Sequence, residues 1–199
     1  HLMFARKGIK YGASALYDHM ALDGLEDAYE RGKAMGVFAE QCVGKYNFTR
    51  EAMDQFAIAS TQRSKKANED GSFDWEMAPV TLPGKAGDTV VKWDEQPFKA
   101  KLDKIPGLKP AFKKDGAITA ATSSSISDGA AALVLMREST AKAMGVKPIA
   151  RIHHMYVMGH DPVIMLEAPV PATNKALEKA GMKIDDIDLF EVNEAFAPI

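Results

Sequence analysis

Apolar residues recur at helical spacing in the first half of the chain and gather into short unbroken runs in the second, so the two halves predict different architectures. Residues 21 to 45 hold two helical stretches, "ALDGLEDAYERG" and "MGVFAEQCVGKY", with Leu25, Ala28 and Tyr29 spaced for one face. Thr49 is suited to cap the next helix, which carries Glu51 in its first turn, runs through Met53, Phe56, Ala57 and Ser60, and stops at Asp70 and Gly71. "MAPVTLPGKAGDTVVKWDE" reads as two short strands around a Pro/Gly turn, a β-ribbon. These elements predict a small α+β module ending near residue 116.

From residue 117 short apolar runs alternate with short helices. "DGAAALVLM" suits a strand buried on both faces, "ESTAKAMG" a short helix closed by Gly145, and "PIARIHHMYV" a second strand. "VPATNKALEKAG" places Ala172, Ala176, Leu177 and Ala180 on one side of a helix that Gly181 stops, and "DIDLFEV" follows as a third strand. Strand, helix, strand, helix, strand is a βαβαβ order, which predicts an α/β class with a mostly parallel sheet.

Composition narrows the function classes. The 199 residues are 46% hydrophobic and 26% charged, as in an ordinary globular protein. With 25 basic and 27 acidic side chains the net charge is −2, so charge supplies no attraction to nucleic acid or to an anionic membrane. No stretch reaches the roughly 20 apolar residues of a membrane span, and the chain reads as cytosolic. Cys42 is the single cysteine, which excludes an internal disulfide; in its helical segment it reads as a small buried hydrophobe.

The generic catalytic signatures (G-x-G-x-x-G, P-loop, G-x-S-x-G, H-E-x-x-H) are missing from the sequence. None of the five histidines has metal-ligand company, and His153 and His154, adjacent in an expected strand, would face opposite ways. No metal site is expected. Two stretches carry more. In "TAATSSSISDG" small side chains and hydroxyls from Thr119 to Ser127 would let a ligand lie against the backbone while Ser124 or Ser125 donates to it, or would simply stabilise a turn. In "NEAF", Asn193 and Glu194 stand at the carboxyl end of an expected strand, where open α/β sheets place ligands; Asn193 also suits a helix N-cap.

"DGLEDAYERGKAMGVFAEQC", "LKPAFKKDGAITAATSSSISDGAAALVLM" and "DIDLFEVNEAFA", in this order and at these separations, closely resemble the thiolase family, in particular its acetyl-CoA acetyltransferases. The likeness runs through nearly the whole chain from about residue 17. It implies acyl transfer on coenzyme A thioesters: thiolytic cleavage of a 3-ketoacyl-CoA, or condensation of two acetyl-CoA molecules. Such enzymes acylate one cysteine and use a second as general base, with an oxyanion hole built from a histidine and a water held by the Asn of N-E-A-F, here Asn193. CoA thioester is then substrate, with no further cofactor implied, and homo-oligomers, dimers or tetramers, are common among relatives.

The resemblance further implies a thiolase-like fold: a partial parallel or mixed sheet with βαβαβ units plus an inserted α+β loop domain. Residues 1–120 would be most of that coenzyme-binding loop domain, and 121–199 the end of the first core domain and the start of a truncated second. Ala120, Ala121, Ser124 and Ile126 match the segment that lies along the pantetheine arm. Leu25, Met35, Phe112 and Phe196 match apolar positions around the arm, and Met165 one beside the reactive sulfur.

Departures from the family pattern qualify the likeness. Ala34 stands where many members have a histidine, and Pro97 and Lys104 replace a basic residue and a serine at the nucleotide end, so Lys99, Lys101 or Lys104 would take over phosphate contact. "MLEAPVPA" replaces a Met-Gly run, and "TSSS" an Asn-Ala-Ser that likewise offers hydroxyl donors. The resemblance places the nucleophilic cysteine before residue 1, and the Gly-His-Pro histidine and second catalytic cysteine after residue 199; Cys42 matches neither cysteine. The expectation is an acyltransferase fragment lacking nucleophile and base, inactive alone. The alternative is a CoA-binding or interaction module derived from a thiolase and without chemistry of its own.

Overall fold

Helix signals that act over a few residues operate as expected. The computed structural model of the chain describes residues 15–199. Its contacts divide it into two units: the described residues up to Ser124 together with Glu194–Ile199, and Ser125–Asn193.

In the first unit, helix α1 (Met35–Tyr46) ends on Asn47, whose left-handed backbone (φ 55°) halts the helix. Helix α2 (Arg50–Glu69) is capped by the Thr49 hydroxyl, which accepts from the Ala52 N–H at 3.1 Å. Gly71 (φ 80°) follows its end. The ribbon is antiparallel, β1 (Val80–Leu82) against β2 (Thr89–Val91), with Thr81 opposite Val90. Helix α3 (Gln96–Lys99) and a 3₁₀ turn, Leu102–Gly107, then pack on α2. Arg50 fastens that turn: its Nε donates to both carboxylate oxygens of buried Asp54 at 2.9 Å, and its Nη2 to the carbonyls of Ile105 (3.2 Å) and Leu108 (2.8 Å). Phe38, Ala39, Cys42, Met53, Ala57, Ile105 and Ile118 form the buried core.

One expected helix is shorter than the periodicity suggests. "ALDGLEDAYERG" forms only a π-type turn, Ala21–Leu25, after which the chain bends back so that Glu26 bridges Ala34. The Asp27 carboxylate accepts from the N–H groups of Tyr29 (3.2 Å) and Glu30 (2.7 Å), and Gly32 (φ 84°) completes the reversal. A local side-chain acceptor competes with the helix for those donors.

In the second unit, α4 (Glu138–Ala143) and α5 (Pro169–Ala180) form where expected, followed by left-handed Gly145 (φ 66°) and Gly181 (φ 68°). The three expected strands do not appear. "DGAAALVLM", "PIARIHHMYV" and "DIDLFEV" carry no ladder among the described residues; the last contains only the end of a 3₁₀ turn, Ile184–Asp186. A strand is defined by the neighbour that takes its N–H and C=O groups, and none of the three runs is paired in a ladder with another described segment. Before α5 a further 3₁₀ turn, Pro162–Glu167, carries Met165; Asp161 Oδ1 accepts from Val163 N (2.8 Å), and His160 Nε2 lies 2.9 Å from Glu167 Oε1. No described helix is long and apolar enough to cross a membrane.

Candidate functional site

The hydroxyl-rich segment is held from three directions within the first unit. From α1, the Glu40 carboxylate accepts from the backbone N–H of Ala117 (Oε1 2.9 Å, Oε2 3.1 Å) and of Ile118 (Oε1 2.8 Å). From within, the Thr122 hydroxyl accepts from Thr119 N at 2.8 Å and the Ser123 hydroxyl donates to the Thr119 carbonyl at 2.8 Å, both threonines being buried. From the end of the chain, Ser124 N donates to Ala195 O (3.0 Å) and Ala197 N to Thr122 O (2.9 Å), with Ser123 and Phe196 forming an antiparallel bridge. Residues 122–124 of the Thr119–Ser127 run are therefore laced to residues 195–197, which include the end of N-E-A-F, while Ser125–Ser127 and Asn193 belong to the second unit.

Around this seam the packing is tight. The Phe112 and Phe196 rings meet edge-on, 5.9 Å between centroids. Gly36, in the first turn of α1, lies under Phe112 so closely that a Cβ there would overlap the ring. Helix α2 contributes Ser60, whose hydroxyl donates to Glu194 Oε2 at 2.6 Å across 134 residues of sequence.

The structure thus brings Phe112, Ala120, Ala121, Ser124 and Phe196 to one seam, with Met35 beginning the helix that supplies Gly36 and Glu40. Ala120 and Ser124 are exposed, so the seam presents backbone and a hydroxyl to solvent. Leu25 is 41% exposed in its turn. Ile126, Met165 and Asn193 belong to the second unit; Ile126 and Asn193 are exposed and Met165 half-buried. The lysines are exposed: Lys99 pairs with Glu95 (3.1 Å), Lys104 with Asp103 (3.2 Å), and Lys101 stands between them. A cavity among Asn68, Gly71, Asp74, Met77, Lys92 and Trp93 contains none of the expected residues. Among the described residues no group of His, Cys, Asp or Glu could hold a metal ion. Cys42 is buried in α1.

Sequence reasoning missed Glu40 and Ser60, whereas Thr122 lies within the hydroxyl run it singled out. A signal existed for the first: Gly36 and Glu40 are spaced i, i+4 in a helix whose Phe38, Ala39 and Cys42 are buried, so a carboxylate half inside that helix needed a partner. Nothing local marks Ser60, whose partner is set by tertiary structure alone.

Two family models match in succession: the thiolase N-terminal domain over residues 2–139 and the thiolase C-terminal domain over residues 146–199. The chain belongs to the thiolase family. It is 45% identical over 195 residues to a probable acetyl-CoA acetyltransferase of Dictyostelium discoideum, covering 98% of this chain and 47% of that protein. To the acetyl-CoA acetyltransferase of Rhizobium meliloti (strain 1021) it is 44% identical over 198 residues, 99% of this chain and 50% of that one. Among solved structures, the acetyl-CoA acetyltransferase of Syntrophomonas wolfei superimposes with a TM-score of 0.85 at 37% identity, over 100% of this chain and 50% of that one. Human mitochondrial 3-ketoacyl-CoA thiolase gives 0.81 at 38% identity, over 98% and 49%. This thiolase chain therefore has a thiolase fold and spans about half the length of the relatives it matches.

Proposed function

We propose that these residues are the coenzyme-binding part of an acyltransferase acting on CoA thioesters, by thiolytic cleavage of a 3-ketoacyl-CoA or condensation of two acetyl-CoA. The observation that carries the reading is the seam itself. A stretch of small residues, Ala120, Ala121 and Ser124, is pinned by backbone bonds to the residues following Asn193, and relatives at 44–45% identity are acetyl-CoA acetyltransferases or probable ones. Small side chains let a pantetheine arm approach the peptide groups, Ser124 offers a donor, and Phe112 and Phe196 offer an apolar wall.

In this reading residues 1–120 are the loop domain that takes the coenzyme, and Lys99, Lys101 and Lys104 meet its phosphates as mobile point charges. Asn193 holds the water of an oxyanion hole, Met165 stands beside the reactive sulfur, and Ile126 lies along the pantetheine arm, which Leu25 and Met35 flank. Cys42 plays no chemical part: it is 2% exposed within α1 and is shielded from a thioester. The chain by itself binds coenzyme and does not turn it over.

Titrating the chain with CoA by calorimetry and assaying acetoacetyl-CoA thiolysis tests both statements. The expected result is binding with thiolysis at background. Turnover above a no-protein control that Cys42→Ala abolishes would reverse the assignment of Cys42, and absence of CoA binding would remove the coenzyme reading. In a full-length thiolase carrying these residues, Asn193→Ala lowers kcat by about 10²-fold; an unchanged rate there would favour a module without chemistry.

A further inference from the structure

We propose that Glu40 is a positioning residue for the coenzyme, its carboxylate setting the backbone of residues 117–124 to which the pantetheine arm is fitted. The inference rests on the coenzyme reading above and adds a residue that touches no substrate in it. Glu40 lies 77 residues before Ala117 and reaches it from a different element. Both of its oxygens are used, Oε1 by the Ala117 and Ile118 N–H groups and Oε2 by Ala117 again. Such charge-assisted bonds are roughly twice as strong as neutral ones.

The approach is built for backbone. A Cβ on Gly116 would overlap Glu40 Oε1, so the turn meets the carboxylate with its peptide groups first. On the far side Ile118 O accepts from Ala111 N at 2.8 Å, and Ile118 and Thr119 are fully buried. The Ile118 backbone is therefore held at both its N–H and its C=O, which fastens the peptide groups on either side of its Cα. From there the restraint passes through Thr119 N to the Thr122 hydroxyl, and from Thr122 O and Ser124 N to the 195–197 strand-like segment. Each link restrains the backbone of the segment, and the exposed groups at Ala120 and Ser124 inherit the result. A ligand that meets a segment already ordered loses less on binding than one that must order it.

A carboxylate is the group this geometry needs. A glutamine keeps Oε1 as acceptor for the two shorter bonds but turns an amide donor toward the Ala117 N–H. An alanine leaves two backbone donors without their acceptor.

The test measures CoA affinity of the full chain by calorimetry for wild type, Glu40→Gln, Glu40→Ala and a control, Asn68→Ala. Asn68 is buried in the same unit and exchanges bonds with Asp94, not with the seam. The expected order is wild type, then Glu40→Gln, then Glu40→Ala, with Kd raised about tenfold or more in the last and within about twofold of wild type in Asn68→Ala. Wild-type affinity in Glu40→Ala would overturn the proposal while leaving the coenzyme reading intact. Equal weakening in Asn68→Ala would overturn it too, since loss of general stability would then account for the effect. If wild type binds no CoA, both readings fall together. Amide exchange at Ala117 and Ile118 in the same variants, expected to quicken in Glu40→Ala ahead of the rest of the unit, gives a readout independent of ligand; unchanged exchange there would equally overturn the proposal.

Discussion

The two units of the chain are built from similar helices yet differ in what those helices and their neighbours bury. In the first, a set of residues more than 50 positions apart closes on itself: Arg50 to Ile105 and Leu108, Glu40 to Ala117 and Ile118, Ser60 to Glu194. In the second, Ala141 is the buried hydrophobic residue, while Leu133 (85%), Val134 (87%), Ile149 (90%), Val157 (92%) and Leu189 (89%) are exposed among the described residues. These apolar runs are as rich as any core in the chain, and the difference lies in whether a second surface meets them. Hydrophobicity by itself places nothing; burial needs a partner face.

The sharpest way to break the contrast is to truncate one apolar side chain on each side of it. Ile118→Ala removes a fully buried side chain and should cost about 2–5 kcal/mol in denaturant unfolding of the first unit. Leu133→Ala, at an exposed position, should cost about 0.5 kcal/mol or less in the same chain. Equal losses would mean that the apolar runs of the second unit are covered in solution.

Local signals, by contrast, should act alike in both units. Thr49→Ala deletes the hydroxyl that accepts from Ala52 N and should lower stability by about 1 kcal/mol. Gly181→Ala, at a left-handed position (φ 68°) after α5, should cost about 1 kcal/mol through backbone strain. Circular dichroism melts of the two variants check this; a tenfold disparity between the two free-energy losses would show that α5 depends on packing the chain does not supply.

The smallest effect is electrostatic. Lys66 and Ser72 hydrogen bonds hold the Asp70 carboxyl at about 2, below its ordinary 3.8, and in the second unit Lys175 likewise pulls Glu178 down. Because the folded-state pKa of Asp70 is depressed, the stabilisation from its pairing is complete above pH 3.8 and fades as pH falls through about 2. Both pairs are exposed, so thermal stability should barely register them. Carboxyl chemical shifts followed by NMR should show an Asp70 midpoint near 2; a midpoint at the ordinary 3.8 would show that the Lys66 pair is not held in solution.

How far the sequence could be read follows the same division. Helices α1, α2, α4 and α5 and the ribbon were legible because caps, glycine stops and 3.6-residue periodicity act within a few residues. The turn at Ala21–Leu25 was misread as a longer helix, since periodicity does not register the Asp27 acceptor that captures two helix donors. The runs at 128–136 and 148–157 and the one ending at Val192 have strand composition but no ladder here, because a strand's existence depends on what lies beside it. At the site, the hydroxyl segment and the N-E-A-F residues stood out by composition and by family likeness.

The sequence alone determined where helices α1, α2, α4 and α5 begin and end, which apolar residues could form a core, and membership of the thiolase family. Only the tertiary structure decided that residues 122–124 pair with 195–197, that Gly36 and Gly116 must lack side chains, and that Glu40 and Ser60 fasten the seam. The physical reason is range. Caps and turns are settled by donors and acceptors a few residues apart, whereas a carboxylate 77 positions from the amides it binds acquires its role when folding closes that loop.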